Sequence, residues 1–247
     1  MNEGPDNSAS LTQNAAGKNQ LTNRAKPQKD EAYERIYKDI ITFQLKPGEH
    51  ISERVLLQKY NIGQAAVRTA LLRLEQEGLI ANKGRKGHQI IPITLESIRN
   101  VLELRLILEP AAAEMAAGRV DAKRLTKLKR LADVDLSKSN WKVNLKYLEA
   151  NRDFHVAVAE YSGNRQLAVW IKHLHNLSFR TFYLLENSGI KIRDGQISHQ
   201  AILDELLTEN GKEASRLTLM HLQEARDNTL AAVMNLPELQ QLSITAL

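Results

Sequence analysis

The chain has 247 residues, of which 43% are hydrophobic and 26% charged, enough for one large domain or two ordinary ones. No apolar run reaches the roughly 20 residues that span a bilayer, so no membrane partner is expected. The N-terminus lacks the basic and then apolar pattern of a secretion signal. Because the chain has no cysteine, disulfides, thiol nucleophiles and thiolate metal sites are excluded, and we expect a cytoplasmic protein.

The net charge of +5 is concentrated in the first third of the chain. Residues 1–92 contain 14 Lys and Arg against 10 Asp and Glu, whereas residues 93–247 contain 20 against 19. A basic bias at one end suits a polyanion such as nucleic acid. On charge alone, an ordinary solvated surface explains the numbers equally well.

The first part of the chain predicts a disordered arm followed by three helices. Residues 1–29 are rich in Asn, Ser, Gln, Ala and Lys and offer too little apolar surface to offset the entropy of ordering. Apolar residues at helical spacing then predict a helix that ends at residues 46–48. Ser52 is a candidate N-cap for a second helix. A third helix follows the short turn at residues 61–63 and ends at Gly78.

Two short apolar segments, residues 79–83 and 88–93, flank a basic turn bounded by Gly84 and Gly87 and predict a β-hairpin. Two helices, a tight turn, a third helix and a basic hairpin together describe a winged helix-turn-helix at residues 30–92. The alternative is a small helical domain whose hairpin has no function.

A DNA-binding winged helix inserts the N-terminal end of its third helix into the major groove. There, Gln64 can pair with adenine and Arg68 with guanine, while the methyl groups of Ala65 and Ala66 can contact thymine. The hairpin carries three side chains suited to phosphate or minor-groove contacts: Arg85, Lys86 and His88.

Residues 95–235 lack strand signals and predict an all-helical bundle of about six helices. The amphipathic segments cover approximately residues 95–117, 121–137, 140–161, 164–187, 194–209 and 212–234. Residues 236–247 predict a loose tail. The predicted fold class is therefore mostly α: an N-terminal winged helix-turn-helix with a small β-hairpin wing, followed by an all-α bundle.

The segment LKPGEHISERVLLQKYNIGQAAVRTALLRLEQEGLIANKGRKGHQI resembles the GntR family of bacterial transcription regulators. The resemblance implies DNA contacts by residues on two helices and the wing: Arg54, Gln64, Arg68 and Gly87. One feature departs from the family, which usually has Ser/Thr-Arg-Thr/Ser-Pro where this chain has Gly63-Gln64-Ala65-Ala66. Gln64 thus replaces an arginine that normally reads a base. We expect an operator that differs from the family consensus, or weaker binding.

Three of the seven histidines lie on predicted bundle helices where they could meet in the core. Asn151 and His155 are one helical turn apart and share a face. His199 lies early in the fifth bundle helix, and His221 lies in the middle of the sixth. Three imidazoles and an oxygen donor suit Zn²⁺ or a neighbouring divalent ion. For any single histidine, a structural role is the alternative.

The bundle resembles the FCD-type effector domain through the segments ELRLILEPAAAEMAA, NRDFHVAVAEYSGN, SHQAILDELL and LTLMHLQEA. The resemblance implies one divalent metal, Zn²⁺ first and Ni²⁺ or Mn²⁺ as alternatives, held by four residues: Asn151, His155, His199 and His221. The family has a carboxylate at the first position, so the uncharged Asn151 predicts weaker metal binding. Asp153 cannot substitute, because two residues are about 200° apart around a helix.

Arg105 lies in the E-L-R-x-x-L-E motif, where the family often places an arginine facing the effector cavity. Such an arginine would clamp a carboxylate with two hydrogen bonds. The alternative is a surface salt bridge with Glu109, four residues later. His173 and His175 lack a matching motif and are predicted to be structural or on the surface.

These features predict a ligand-responsive, sequence-specific regulator that binds double-stranded DNA as a homodimer at an inverted repeat. By resemblance, it is a repressor released by a small organic acid bound beside the metal, and it has no catalytic residues. One alternative is a metal-dependent hydrolase or isomerase carrying a winged helix, against which stands the lack of a spare carboxylate matched to the histidines. Another is an interaction module that uses the bundle for dimerisation only.

Overall fold

The computed structural model describes Met1 and residues 28–132, 141–190 and 197–236. Within these ranges the chain forms nine α-helices and one three-stranded antiparallel sheet, which confirms the predicted fold class. The predicted arm and tail lie almost entirely outside the described residues. So does the stretch 133–137, which the sequence assigns to the second bundle helix.

The N-terminal domain has the predicted helices and wing in the predicted order. It consists of α1 (Gln28–Ile41), β1 (His50–Ile51), α2 (Glu53–Tyr60), α3 (Gln64–Gln76), β2 (Ile80–Asn82) and β3 (His88–Ile90). The sheet order is β1-β3-β2, and both pairings are antiparallel. The strand β1 was not predicted, because two residues are too few to show a β-period. A short 3-10 turn at Gly84–Lys86 joins the two strands of the wing.

Local signals fix the ends of α2 and α3. The Ser52 hydroxyl accepts a hydrogen bond from the Val55 amide and caps α2. Asn61 adopts a left-handed conformation with φ 51°, which ends α2 and opens the tight turn before α3. Gly78 has φ 67° shortly after α3, a conformation that glycine adopts without strain. The turn between α2 and α3 therefore follows directly from the sequence.

The second domain is a bundle of six helices. They are α4 (Leu95–Ala116), α5 (Ala122–Ala132), α6 (Trp141–Tyr161), α7 (Arg165–Asn187), α8 (His199–Leu207) and α9 (Gly211–Val233). Helix α8 begins at His199, where the Ser198 side chain caps it by accepting from the Ala201 amide; residues 194–196 of the predicted helix lie outside the described residues. The most extensive helix contacts join α4 to α9 and α6 to α7, so residues of all four helices meet in the core.

Phe154 anchors the centre of the bundle. Its side chain is fully buried in a cluster that includes Leu125 of α5 and Ile202 and Leu206 of α8. Its ring also lies 4.8 Å from the ring of His199, measured between centroids. Because His155 is the next residue on α6, this packing fixes the position of the histidines described below.

Helix α7 forms much of the junction between the two domains. The ring of Tyr183 meets Phe43 edge-on, with 5.6 Å between centroids. A Cβ atom added to Gly78 would lie 2.3 Å from the ring of His173, so α7 packs directly against the chain that follows α3. From α6, Arg152 Nη1 donates a hydrogen bond to the Tyr37 hydroxyl of α1 at 3.2 Å. Among the described helices, none is long and apolar enough to span a bilayer.

Candidate metal centre and DNA interface

Three histidines from three helices meet in the bundle core. His155 Nε2 lies 3.2 Å from His199 Nε2. The ring of His221 lies 5.4 Å from that of His155 and 4.7 Å from that of His199, between centroids. Each of the three offers a ring nitrogen within 4.8 Å of the others. The arrangement is that of a candidate metal centre on α6, α8 and α9.

In His155 and His221, an oxygen atom near Nδ1 favours the proton on that nitrogen, so that Nε2 keeps a lone pair for a metal. His221 Nδ1 lies 2.8 Å from the carbonyl oxygen of Ile197, which can only accept, so Nδ1 carries the proton. His155 Nδ1 lies 2.8 Å from Glu109 Oε2. That contact is short but poorly aligned, and Glu109 Oε2 has no well-aligned hydrogen bond among the described residues. The nearby carboxylate nevertheless favours the proton on Nδ1 of His155.

The chemistry of this donor set fits a divalent ion. In a tetrahedral zinc site with bonds of 2.0–2.1 Å, two ligand nitrogens are roughly 3.3 Å apart, close to the 3.2 Å between His155 and His199. Burial and the neighbouring histidines hold the pKa of His199 well below its usual range. Burial, followed by His155, lowers the pKa of His221 to about 4. Both rings are therefore neutral near pH 7, as metal ligation requires.

Asn151 lies on α6 one turn before His155 and is half-buried. Its position on the helix face is that of a fourth ligand, but among the described residues no hydrogen bond joins it to the histidines. Asp153 instead accepts a hydrogen bond from Arg152 Nε at 2.9 Å. The structure therefore brings three of the four predicted ligands together and keeps the fourth on the same side of α6.

A buried charged group lies behind the histidines. Arg105 Nε donates to Glu109 Oε1 at 2.7 Å, and both side chains are about 4% exposed or less. Arg105 Nη1 reaches the Ser178 hydroxyl at 3.4 Å. Burial raises the pKa of Glu109, but Arg105, His175 and His155 outweigh it and hold the pKa well below its usual range. The pairing considered as the alternative role of Arg105 is therefore formed, but it is buried in the core rather than on the surface.

Glu109 and His175 are the residues of this site that sequence reasoning missed. His175 is buried, and its Nε2 lies 3.1 Å from Glu109 Oε1. Burial, followed by Arg105, lowers the pKa of His175 to about 3. The spacing of Arg105 and Glu109 indicated their pairing, but nothing in the sequence indicated that α7 brings His175 to the same carboxylate.

Glu109, His155 and His175 form a second group with ligand atoms close enough to hold a metal. Two features argue against it. The Arg105 guanidinium already occupies Glu109 and would repel a second cation. His155 would also have to bind through Nδ1, which the Glu109 contact favours in its protonated state. The cluster of His155, His199 and His221 is therefore the better candidate.

The predicted DNA-reading side chains lie on the exposed face of the winged helix. Gln64, Ala65 and Arg68 are exposed on the first turns of α3, and Arg54 is exposed on α2. Ala66 is buried against the core, so it does not present its methyl group to DNA as the sequence analysis suggested. Its neighbour Ala65 keeps that role as a candidate.

Arg68 is paired within the domain. Its Nε donates to both carboxylate oxygens of Glu53, at 2.9 and 3.1 Å, while 62% of its side chain stays exposed. An exposed pair of this kind is worth little in stability. The guanidinium can therefore exchange Glu53 for a base or a phosphate at small cost.

The wing exposes Arg85 and Lys86 on its 3-10 turn. Gly87 follows with φ 78°, and a Cβ there would lie 2.6 Å from the carbonyl oxygen of Ile51. Only glycine fits that approach, so Gly87 fixes how the wing packs on β1. His88 is half-buried in β3, opposite Ile51 and Asn82, with its Nδ1 atom buried and unpartnered among the described residues. Among the predicted wing contacts, Arg85 and Lys86 are thus exposed, and Lys83, just before the turn, is a further exposed cation.

Comparisons with known proteins match both domains. Residues 28–90 match the family described as bacterial regulatory proteins, gntR family, and residues 100–224 match the FCD domain. The Bacillus subtilis regulator YdhC is 26% identical over 190 residues, covering 76% of this chain and 85% of that protein. The Escherichia coli K12 repressor RspR is 22% identical over 206 residues, covering 83% and 90%.

Two solved structures share the fold. A GntR-type regulator from Rhodococcus sp. RHA1 has a TM-score of 0.63 at 20% identity, covering 84% of this chain and 99% of its own. Escherichia coli McbR/YncC has a TM-score of 0.61 at 17% identity, covering 89% and 100%. The family matches follow the order of the two domains in the structure and confirm the predicted resemblance. The chain therefore belongs to the GntR family of bacterial regulatory proteins, carries an FCD domain, and is a DNA-binding transcriptional regulator rather than an enzyme.

Proposed function

We propose that this regulator is a repressor whose bundle holds one divalent metal, with Zn²⁺ preferred over Ni²⁺ and Mn²⁺. The ligands would be Asn151, His155, His199 and His221. The observation that carries the proposal is the convergence of the three histidines, with 3.2 Å between two Nε2 atoms. Two Nε2 lone pairs at that distance repel each other unless a cation or a proton lies between them.

The charge of this donor set favours an anionic effector. Three neutral imidazoles and an amide leave the double positive charge of the metal uncompensated. A small organic acid would supply the missing negative charge as a further ligand. Arg105 would hold the other end of the acid, which requires it to share or exchange its bond to Glu109.

Glu109 is a carboxylate that the sequence analysis did not place near the histidines, and it bears on the alternative of a metal-dependent hydrolase. It faces the Nδ1 side of His155, away from the Nε2 atom that would bind the metal. Arg105 and two histidines also keep it ionised and occupied. A general base needs a free lone pair near the metal-bound water, so Glu109 is poorly suited to that role. Its position beside Nδ1 suits it instead to orient the ring of His155.

A homodimer fits an exposed apolar strip on α4. Leu104, Ile107 and Met115 are 46%, 66% and 43% exposed and follow one another at helical spacing along one side of the helix. Helix α7, which packs beside α4, adds Trp170 at 56% exposure. A second copy would cover this strip through a two-fold interface. Two winged helices related by that symmetry would bind an inverted repeat.

Each winged helix would read one half-site of double-stranded DNA. Gln64, Ala65 and Arg68 would contact base edges, and Arg54 would support them from α2. The wing would contact phosphates or the minor groove through its polar side chains and backbone: Arg85, Lys86, Gly87 and His88. The relatives RspR and GlaR of Escherichia coli are both described as repressors, which favours repression over activation.

The organic acid would act by joining helices. The metal would tie α6, α8 and α9 together, and an acid held by Arg105 would add α4. Such a ligand shifts the protein between two arrangements only by its difference in affinity for them. The arrangement that it favours would have the two winged helices spaced wrongly for the operator.

Operator binding by metal-replete and metal-free protein, with a panel of organic acids, tests the proposal. The wild type should lose operator affinity with one of the acids. His199→Ala combined with His221→Ala should bind the operator normally but ignore the acid. His50→Ala, at an exposed histidine outside the cluster, is the matched control and should behave as wild type. An acid response that survives in the double variant would refute the proposed switch.

A further inference from the structure

A second buried arginine, Arg180 on α7, lies outside the proposed metal and effector site. It is 1% exposed and ranks among the largest fully buried side chains of the described residues. Its Nη2 atom donates to the carbonyl oxygen of Ile91 at 2.5 Å, while its Nε atom has no hydrogen-bond partner in the described part of the chain. No described carboxylate lies within ion-pair distance of it. Within the described part of the chain, the charge is therefore buried without a counterion.

This situation differs from that of Arg105, which has Glu109 as a partner. A buried charge without a partner is costly, and burial lowers the pKa of Arg180 to about 10. A chain that only needed to fill this space could do so with an apolar side chain at less cost. A guanidinium kept in such surroundings indicates a ligand that carries the missing negative charge.

A cavity adjoins Arg180. Its volume is about 70 Å³, it is partly open to solvent, and its walls are mostly apolar. The walls come from the chain after β3, from the first turns of α4, and from α7 and α9; they include Ile93, Ile98, Leu102 and Phe182. Thr181 adds a hydroxyl group next to Arg180. The cavity thus combines one cation with an apolar chamber.

The cavity is separate from the histidine cluster, although Ser178, which lines it, also contacts Arg105. It reaches α4 at Leu102, seven residues before Glu109, and α9 at Thr229, eight residues after His221. At 1.5 Å per residue, these separations are about 10–12 Å along the helices. A ligand at Arg180 would therefore not be a ligand of the metal.

We propose that Arg180 and this cavity form a second binding site, for a short aliphatic monocarboxylate. The carboxylate would pair with the guanidinium, and the alkyl group would fill the apolar chamber. At roughly 10–15 Å³ for each water-sized group, the volume accommodates about five non-hydrogen atoms, the size of propionate. The chamber offers no second cation among the described residues, so it favours a monocarboxylate over a dicarboxylate.

The site lies at the junction of the domains. Ile91 follows β3 directly, and its amide donates to the carbonyl oxygen of Leu79, close to the end of α3. The Ile91 carbonyl group is also the acceptor of the Arg180 hydrogen bond. A carboxylate that draws the guanidinium away would release the base of the wing from α7.

Calorimetric titration of the full chain with sodium propionate tests the proposal. Propionate should bind, whereas 1-propanol and sodium chloride of equal ionic strength should not, and any binding of sodium malonate should be the same in wild type and Arg180→Met. Arg180→Met should weaken propionate binding by about tenfold or more, the range of a lost charge-assisted hydrogen bond. Arg130→Met removes an exposed arginine of α5 and is the matched control. Equal binding by wild type and Arg180→Met would overturn the proposal.

Two further measurements cover a variant that fails to fold and a ligand that binds elsewhere. Val101→Phe fills the cavity and leaves Arg180 in place, so it should also abolish propionate binding. Chelator-treated protein and the His199→Ala and His221→Ala double variant should bind propionate as the wild type does. Propionate binding that disappears with the metal would assign the acid to the metal site and reject a site at Arg180.

Discussion

His155 and His221 each have their Nδ1 atom 2.8 Å from an oxygen that can accept a hydrogen bond. The oxygen belongs to the Glu109 carboxylate in one case and to the Ile197 carbonyl group in the other. This leaves their Nε2 atoms as acceptors in a buried place where water cannot solvate them well. A ring held in this way loses little freedom when it binds a metal, because its orientation is already set. At the scale of residues, the site is defined as much by these neighbours as by the proposed ligands.

Asn151→Asp should tighten metal binding. The change restores a charged oxygen one helical turn before His155, where the FCD family has a carboxylate. It should also weaken the anionic effector, because the metal charge is partly neutralised. Competition with a coloured chelator measures the affinity, and Asp153→Asn, on the opposite side of α6, is the control. Unchanged affinity in Asn151→Asp would mean that this side chain does not reach the metal.

Glu109→Gln should weaken metal binding by about 10–100-fold, the usual effect of removing a carboxylate that orients a ligand histidine. It should also lower the free energy of unfolding by about 3–5 kcal/mol, because Arg105 loses its buried counterion. Chelator competition and urea unfolding measure the two effects separately. Glu114→Gln, at an exposed position of α4, should change neither. Wild-type metal affinity in Glu109→Gln would show that the carboxylate serves folding alone.

At the scale of elements, several helix starts were predictable from a locally encoded cap, although Ser198 did not reveal the start of α8. Ser52, Thr94 and Asn164 each cap the helix that the sequence predicts after them. The pairing of β1 with β3 depends on contacts between distant residues and leaves no local signal. The same holds for His175 and Arg180, whose surroundings depend on how α7 packs against α4 and the wing.

In the histidine cluster, too, local spacing was predictable from the sequence, whereas contacts between helices were not. The spacing of Asn151 and His155 predicted a shared face of α6, and the structure has it. Their positions on predicted bundle helices made His199 and His221 candidates, and the resemblance to FCD domains assigned them as ligands, because spacing within one helix cannot relate residues on three helices. Neither source indicated the carboxylate of Glu109 behind His155, since that contact depends on the register of α4 against α6.

Gln64→Arg should change the base preference at one operator position from adenine towards guanine. Gln64 is exposed at the first position of α3, where a longer guanidinium can reach the same base pair. Selection of binding sites from a random DNA pool measures the preference. Gln58→Arg adds the same charge on α2 and should raise affinity without altering the selected sequence. An unchanged sequence with Gln64→Arg would mean that this side chain faces phosphate or solvent.

At the scale of the whole molecule, α7 connects the proposed metal site to the winged helix. His175 and Ser178 contact the charged group behind the histidines, while His173 and Arg180 contact the N-terminal domain. The Arg152 bond to Tyr37 provides a parallel connection from α6. A change in helix packing at the histidines therefore has a direct physical route to the DNA-binding surface.

Arg152→Met should weaken this connection while leaving metal and operator binding intact. In the wild type, removing the metal should speed hydrogen exchange in α6 and also in α1, because the two helices are bonded through Tyr37. In Arg152→Met, the response should stop at α6. Arg124→Met, which removes an exposed arginine paired with Glu160, is the control. An α1 response of equal size in Arg152→Met would show that coupling takes another route.

The proposed switch depends most on a metal bound by the histidine cluster. X-ray absorption at the metal edge, on protein purified without chelator and checked for metal content, tests this directly. We predict about one zinc per chain, with three imidazole nitrogens at roughly 2.0–2.1 Å and lighter oxygen ligands completing the shell. The imidazole signal should disappear in the His199→Ala and His221→Ala double variant. Protein without stoichiometric metal, or the same imidazole signal in the double variant, would contradict the account.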